Sequence, residues 1–260
     1  MPQAMTTTQY PPSPPALAAA RPPLAAPFTP AHRPEAVPTS SAQLLPLVRE
    51  VRLFEELSEP LIGLLSVRAQ LRRYARDDLI IRQDTVDGLL FVLRQGRAHV
   101  ERAGANGRNV LLDVLEPGAL IGELSLIDGA PHGASVRCVQ PCEVLVLRGA
   151  EVMHCQAQSP AFSQAWASAL VRRVRETNRR IMSMSLDGVR DRVLWQLEQW
   201  SEHAPPDQRI VSGRMGRGEL ARMVGASREM VCRVLRGLQA AGRIELRRDR
   251  SILLRDPGER

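Results

Sequence analysis

The chain has 260 residues, which is enough for two modest domains, and 44% of them are hydrophobic, so each domain can bury a core. Its net charge of +7 comes entirely from arginine on the basic side, because the sequence contains no lysine. No uninterrupted apolar run is long enough to cross a membrane, and no basic segment followed by an apolar core marks a secretion signal. The sequence therefore predicts a cytoplasmic protein.

Patterns typical of enzymes and metal sites are missing. No Ser-His-Asp set, carboxylate pair or metal-spaced group of ligands lies at a plausible site. The four cysteines form no C-x-x-C pair, so we expect reduced thiols and not metal ligands. The protein is therefore predicted to be neither an enzyme nor a metalloprotein.

The N-terminal part of the chain changes character at about residue 43. Residues 1–42 hold 11 of the 20 prolines together with many alanines, serines and threonines, a composition that cannot bury enough surface to fold. We predict a disordered extension there. Residues 43–70 have leucine and valine at helical spacing, and Pro46 and Pro60 are predicted to mark helix starts.

Between residues 71 and 148 the pattern changes to short apolar runs separated by glycines. Regularly spaced short strands of this kind predict a sandwich or a barrel. Residues 103–107 contain Asn-Gly, the dipeptide most typical of a hairpin turn. The predicted strands cover residues 79–81, 89–93, 110–112, 134–136 and 144–147.

Residues 160–186 predict one long helix, because they lack internal proline and glycine, and Asp187-Gly188 follows as a hinge. Apolar and small residues recur along it at spacings of four and three, as in a coiled-coil seam. We therefore predict a homodimer, and the alternative is a helix that packs on its own β-rich domain. The seam positions are Ser163, Ala167, Leu170, Val174, Thr177, Ile181 and Met184.

Two short amphipathic segments meet at Gly225, as in a helix-turn-helix. Ser227 suits the N-cap of the second helix, whose buried face is predicted to contain Val231, Val234, Leu235 and Leu238. Arg228, Glu229 and Arg233 then point away from the core, at the end that contacts bases in DNA-reading helices. Arginine can pair with guanine and glutamate with cytosine. The alternative is a solvated helix face with an ion pair between Glu229 and Arg233.

The rest of the C-terminal region is basic and ends in a predicted wing. Residues 189–260 contain 15 arginines and 10 acidic residues. Two apolar segments, 244–246 and 252–254, flank Arg247, Arg248 and Arg250, which we expect to contact phosphates.

Residues 218–238, and Ser227-Arg228-Glu229 with Arg233 in particular, resemble the helix-turn-helix of the CRP/FNR family of bacterial regulators. The resemblance extends more weakly over about residues 45–256. It implies an α+β fold with a jelly-roll-like double-stranded β-helix of the cyclic-nucleotide-binding type over 43–159, a dimerisation helix over 160–187 and a winged helix-turn-helix over 188–260. It also implies binding to a TGTGA-like palindrome and RNA polymerase as a partner.

Residues 117–134 resemble the phosphate-binding cassette of cyclic-nucleotide-binding domains. A short helix after Gly122 would aim backbone N–H groups at a phosphate, and Glu123 could bond a ribose hydroxyl. The resemblance also places Thr177 and Asn178 of the long helix where the family contacts adenine. The full set of implied ligand positions is Gly122, Glu123, Leu124, His132, Gly133, Ala134, Thr177 and Asn178.

The cassette departs from the family where the phosphate is held. Family members that bind cyclic nucleotides have arginine and then serine or threonine at the positions of His132 and Gly133. Two loop positions that are usually glycine are Asp77 and Asp84. The effector could be cyclic AMP or another small molecule such as cyclic di-GMP, or the pocket could be a degenerate scaffold in a ligand-independent regulator. A regulatory subunit that binds protein instead of DNA is the alternative from another functional class.

Overall fold

The computed structural model describes residues 34–104, 109–201, 210–211, 216–249 and 251–255. Its helices are α1 Ser41–Arg49, α2 Glu59–Arg68, α3 Glu123–Asp128, α4 Gly149–Gln158, α5 Pro160–Leu186, α6 Val189–Ser201, α7 Arg217–Val224 and α8 Arg228–Ala240, with a 3-10 turn at Arg52–Phe54. Its strands are β1 Glu35–Val37, β2 Gln70–Tyr74, β3 Leu79–Ile81, β4 Leu89–Gln95, β5 Ala98–Ala103, β6 Asn109–Leu115, β7 Leu120–Ile121, β8 Ser135–Cys138, β9 Cys142–Arg148, β10 Ile210–Val211, β11 Ile244–Leu246 and β12 Ile252–Leu254.

Strands β1 to β9 form an antiparallel roll of two sheets, with strand orders β1-β2-β9-β4-β7 and β3-β8-β5-β6. The central strands β4 and β9 contain uninterrupted apolar runs, residues 89–93 and 144–147, because both faces of the sheet are covered there. Val144 and Val146 belong to the core inside the roll, whereas Leu145 and Leu147 belong to a second core on the outer face of the same sheet. The continuous apolar runs of the sequence therefore correspond to strands covered on both sides.

The second core lies between the outer face of the five-stranded sheet and helices α1, α2, α4 and the start of α5. Aromatic side chains fill its centre. Phe162 lies 5.8 Å from Phe54 and 5.4 Å from Trp166 between ring centroids, and all three side chains are buried. These contacts fix the direction in which α5 leaves the roll.

Helix α5 has two halves with different surroundings. Its N-cap Ser159 accepts a hydrogen bond from Phe162 N, and Ser163 donates one to Gln156 O, so the first turns pack on the roll. Ser163 and Leu170, which the spacing assigned to the dimer seam, thus contact the protein's own domain. Beyond them, Val174 and Ile181 are 58% and 59% exposed.

Helices α6 to α8 and a small antiparallel sheet of order β10-β12-β11 form the C-terminal domain. Its core joins residues from all of these elements, including Val193, Leu220, Leu235 and Ile244. The roll, the long helix and the winged helix-turn-helix confirm the predicted α+β fold.

Two predictions about the N-terminal region need correction. Part of the extension expected over residues 1–42 is ordered, because β1 pairs with β2 and α1 begins at Ser41; residues 1–33 lie outside the described residues. Pro46 lies inside α1 and does not start it. The start is set earlier, where the Gln43 side chain accepts a hydrogen bond from Ser40 N, as in a capping box. Pro60, in contrast, lies in the first turn of α2 as expected.

The β5–β6 hairpin forms as predicted, with Ala98 opposite Leu115 and Ala103 opposite Asn109. Of its expected turn, residues 105–107 lie outside the described residues.

Candidate DNA interface and ligand cassette

The turn between α7 and α8 depends on Gly225. Its φ of 63° is in the left-handed region, which side chains with a Cβ rarely adopt. A Cβ at this position would also lie 3.2 Å from Met184 Cε of α5. The glycine therefore allows both the sharp turn and the close approach of the long helix.

Ser227 caps the second helix as predicted, since its Oγ accepts a hydrogen bond from Met230 N at 3.2 Å. Val231, Leu235 and Leu238 are buried, and Val234 packs against the same core. This one-sided burial fixes the rotation of α8 about its axis, and the opposite face is left to solvent.

Arg228, Glu229 and Arg233 are all exposed on that opposite face. Hydrogen bonds from its own backbone N–H and from Ser227 lower the pKa of Glu229, so this carboxylate is ionised at neutral pH. Within the described residues, Glu229 and Arg233 form no ion pair with each other, as the alternative of a solvated paired face would require. Their polar groups are available to a partner.

The wing forms between β11 and β12, where Arg247 and Arg248 are exposed; Arg250 lies outside the described residues. Arg247 N donates to Ser251 O at 3.0 Å, and the Asp249 carboxylate accepts from Ser251 N at 2.9 Å. These bonds hold a tight turn that projects arginine side chains outward.

The cassette starts at Gly122, between β7 and the short helix α3. Its φ is 90°, and a Cβ there would lie 2.9 Å from Leu89 O, so a larger residue would clash with backbone. Leu124 on α3 is 53% exposed. The glycine therefore allows the start of α3 to lie against β4 of the roll.

Glu123 is buried, with 6% of its surface exposed, and forms an ion pair with Arg173 of α5. The carboxylate that the sequence assigned to a ribose hydroxyl is thus already bonded to the long helix. Sequence reasoning missed Arg173 as a cassette residue. It lies one helical turn before Thr177, and this spacing would have placed the two on one face.

His132 is buried, with 4% of its surface exposed, in the position where the family has arginine. Its Nε2 lies 3.3 Å from Asp87 Oδ2, but the direction is wrong for a hydrogen bond, and this nitrogen has no hydrogen-bond partner among the described residues. The backbone of His132 pairs with Thr85 and with Asp84, whose φ of 63° is left-handed. Asp77 adopts the same conformation, with a φ of 72°. Both aspartates therefore adopt the left-handed conformation that glycine adopts most easily.

The remaining ligand positions are more open. Gly133 is exposed, and a Cβ there would meet no heavy atom within 4 Å, whereas Ala134 is half-buried. Thr177 Oγ1 donates to Arg173 O at 2.9 Å, and both Thr177 and Asn178 are exposed. The structure thus brings α5 to the cassette through Arg173, while these two side chains lie further along the helix.

A roll with a glycine-started cassette, joined by a long helix to a winged helix-turn-helix, defines a transcription regulator with a cyclic-nucleotide-binding-type domain. Residues 71–159 match the cyclic nucleotide-binding domain family, and residues 192–259 match the Crp-like helix-turn-helix domain family. The chain belongs to the CRP/FNR family of bacterial transcription regulators. It is therefore a DNA-binding regulator and not an enzyme.

Similar proteins cover most of the chain. It is 29% identical over 202 residues to a cyclic AMP receptor protein of Thermus thermophilus, covering 75% of this chain and 88% of that protein. It is 25% identical over 207 residues to a CRP-like cAMP-activated global transcriptional regulator of Mycobacterium tuberculosis, covering 78% and 92%. The solved structure of the c-di-GMP responsive global regulator CLP of Xanthomonas campestris matches with a TM-score of 0.59 at 25% identity, covering 77% and 100%.

Across the part of the chain that the structure describes, no helix is both long and apolar enough to span a membrane.

Proposed function

We propose that the protein is a homodimer that reads a TGTGA-like palindrome with helix α8 of each protomer. The observation that carries the proposal is the placement of Arg228, Glu229 and Arg233. They form an exposed, charged face at the N-terminal end of a helix that Ser227 caps and that its own core holds in one rotation. Recognition helices contact base edges through this end.

Each of these side chains has a role that its chemistry supports. The arginines offer planar donor groups that match guanine O6 and N7, and the ionised Glu229 accepts from cytosine N4. A carboxylate facing DNA is repelled by phosphates, so its place between two arginines is better explained by a base contact. In the proposed complex, Ser227 and the wing arginines Arg247, Arg248 and Arg250 contact phosphates.

The exposed half of α5 supports the dimer. Val171, Val174, Ile181 and Met184 are each about half exposed or more, at 51%, 58%, 59% and 49%. A row of apolar side chains along one helix is buried when a second copy packs against it as a coiled coil. Dimerisation would place two recognition helices about one DNA turn, ~34 Å, apart. Bound at a promoter, such a dimer would contact RNA polymerase.

We propose that a small molecule at the cassette shifts the spacing of the two recognition helices. Glu123, Gly122 and Leu124 would meet it from α3, His132, Gly133 and Ala134 from the adjoining loop, and Thr177 and Asn178 from α5. Because His132 supplies no fixed positive charge, cyclic AMP held in the family's manner is disfavoured. Cyclic di-GMP is the first alternative, since the similar regulator CLP responds to it.

One observation favours a second candidate, a regulator that works without a ligand. Arg173 forms an ion pair with the Glu123 carboxylate, and the His132 ring lies 3.6 Å from the position that a Cβ at Gly122 would take. The cassette is therefore partly filled by the protein's own side chains. Thermal-shift titration with cyclic AMP, cyclic GMP and cyclic di-GMP separates the two candidates. A rise in Tm with any of them supports a ligand-controlled regulator.

The reading of DNA is tested by Arg233→Ala. This variant should weaken binding to a TGTGA palindrome by ~1–3 kcal/mol per half-site and relax selectivity at one guanine. Gel-shift titration on the palindrome and on a scrambled duplex measures both effects. Arg236→Ala, on the exposed side of the same helix but one turn further from its N-terminus, is the matched control. Equal losses on both duplexes would show that Arg233 contacts only phosphate.

A further inference from the structure

The first helix of the helix-turn-helix, α7, lies against the roll of its own protomer, where it contacts β6 and is joined to β5 by polar side chains. Glu219 is the centre of this junction. Its Oε1 lies 2.6 Å from His99 Nε2, and Arg97 Nη2 lies 3.2 Å from both of its carboxylate oxygens. The side chains of His99 and Arg97 are only 4% and 7% exposed. A charged cluster is therefore buried between the two domains.

Arg222, one turn after Glu219, makes the second contact. It donates to Glu101 Oε1 at 3.3 Å, and its Nη2 lies 3.3 Å from His99 Nδ1. The same Nδ1 lies 3.6 Å from Glu101 Oε1. His99 is thus surrounded by carboxylates on both sides, with Arg222 beside one of them. We call the contacts of Arg97, His99 and Glu101 with Glu219 and Arg222 the latch.

Two arginines, one from α5 and one from α6, hold the other end of α7. Arg180 of α5 donates to Met223 O at 3.3 Å and also to Leu112 O of β6. Arg192 of α6 donates through Nε to Val224 O at 2.9 Å. These bonds satisfy carbonyls at the helix C-terminus, which have no partner within the helix. Helix α7 is therefore fixed at both ends in one orientation relative to the roll.

The latch depends on a proton. Burial of the ring lowers the pKa of His99, but Glu101 and Glu219 outweigh this and leave the pKa raised, although Arg222 opposes them. Burial raises the pKa of Glu219, but His99, Gly216 N and Arg97 lower it to about 2. The Glu101 carboxyl also has a lowered pKa, chiefly because of His99. Of these three groups, His99 is therefore the one whose charge changes near neutral pH.

The direction in which pH changes the stability of the latch follows from the raised pKa of His99. Its contribution to the latch is fully present below the ordinary pKa of histidine and is lost as pH rises through the higher value of the latched state. Neutral His99 can still accept from Arg222, so the latch weakens without disappearing. Arg97 pairs with Glu219 beside the ring, and Arg137 pairs with Glu101 at 3.5 Å. Glu116, 3.8 Å from Arg97, completes the charged groups around the ring.

We propose that the latch is an autoinhibitory contact, in which protonated His99 holds the helix-turn-helix on the roll and opposes DNA binding. The predicted effect of the latch on DNA affinity rests on the proposed function. The first helix of a helix-turn-helix crosses the DNA backbone. Here that helix lies beside the β5–β6 hairpin, whose Glu101 and Asp113 carboxylates repel phosphates, as does Glu116 just after β6. Arg222 is paired with Glu101, so it is not free to contact a phosphate. Opening at the Asp187-Gly188 hinge would remove both obstacles.

The test compares full-length wild type with His99→Gln and Glu219→Gln. The second variant keeps an amide oxygen that can still accept from Gly216 N, so the cap of α7 is retained while the charge is lost. Arg73→Gln is the control, because it breaks an ion pair with Glu143 in the other sheet of the roll. Hydrogen exchange reports the hinge and α7, and fluorescence anisotropy on a TGTGA palindrome reports DNA affinity.

Both latch variants should speed exchange at residues 187–189 and in α7, and should tighten DNA binding roughly fivefold or more at about pH 6. Wild-type affinity should rise from about pH 6 to about pH 8, and His99→Gln should flatten this rise.

The proposal would be overturned if the latch variants had the hydrogen exchange and DNA affinity of wild type, or if folded variants bound DNA more weakly. A wild type that binds no DNA would contradict the proposed function. The hydrogen-exchange rates of the hinge and α7 would still test whether the latch holds α7 on the roll. If neither variant folds by circular dichroism, Arg222→Gln, at a side chain 47% exposed, must speed the exchange.

Discussion

The helix-turn-helix and the cassette differ in how completely their expected chemistry is present. The DNA-reading unit has the left-handed Gly225, the Ser227 cap and three exposed charged side chains on one short helix. The cassette keeps Gly122 and Glu123, but it has a buried histidine where a fixed positive charge is expected. A reading helix needs only local structure and solvent exposure. A phosphate site needs charges brought together from several elements, so one replacement changes what it can hold.

DNA binding by the helix-turn-helix and ligand binding by the cassette should therefore be separable by substitution. The side chains that would read DNA are exposed in this structure, where they contact no residue of the cassette, and the long helix α5 joins the two regions through Arg173 and Arg180. The experiments below test the separation, starting from the change with the largest expected effect.

Breaking the dimer should abolish specific DNA binding although both regions stay intact. Val174→Glu together with Ile181→Glu would bury like charges across the seam, so affinity for the palindrome should fall by about a hundredfold to ten-thousandfold as the second half-site contact is lost. Sedimentation measures the dimer, and gel shift measures the binding. Val67→Glu, at a 68% exposed position of α2, is the control. A wild type that is monomeric at micromolar concentration would contradict the proposed seam.

Adding an arginine and a serine at the phosphate position of the cassette should raise its affinity for cyclic AMP. His132→Arg with Gly133→Ser adds a charged donor and a hydroxyl, and the serine has room because a Cβ at 133 meets no heavy atom within 4 Å. One arginine–phosphate pair contributes about 1.5–3 kcal/mol, so affinity for cyclic AMP should rise roughly ten- to a hundredfold. Calorimetry on wild type, the double variant and Gly133→Ser alone measures the gain.

Two results would change this view of the cassette. Micromolar binding of cyclic AMP by the wild type would show that His132 does not impair the site, and the two regions would then be equally complete. No gain in the double variant would show that the pocket is closed elsewhere, at the Glu123–Arg173 ion pair or around Asp77 and Asp84.

The smallest effect concerns the local structure of the reading helix. Ser227→Ala removes the hydroxyl that accepts from Met230 N and should lower the free energy of unfolding by about 1 kcal/mol, with a lower Tm of the C-terminal domain. Calorimetric unfolding checks it. Ser185→Ala on α5, where the hydroxyl bonds only to a carbonyl of its own helix, is the control and should change stability little. Equal effects of the two substitutions would mean that the cap adds nothing special at α8.

The sequence by itself determined the elements whose causes are local. The turn at Gly225, the cap at Ser227 and the one-sided spacing of Val231 to Leu238 act within a few residues, so they predicted the helix-turn-helix in detail. The apolar runs of β4 and β9 and the uninterrupted helix over 160–186 were predicted for the same reason.

Only the tertiary structure decided which charges meet. Glu123 and Arg173 are 50 residues apart, and His99 and Glu219 are 120 apart, so no periodicity or motif connects them. Residues 35–37 likewise form a strand because they pair with β2, which their proline-rich surroundings in the sequence did not indicate. Local hydrogen bonds and residue spacing determine helices and turns, whereas the ion-pair partner of a buried carboxylate depends on how whole domains pack. The cassette and the latch are therefore properties of the folded chain.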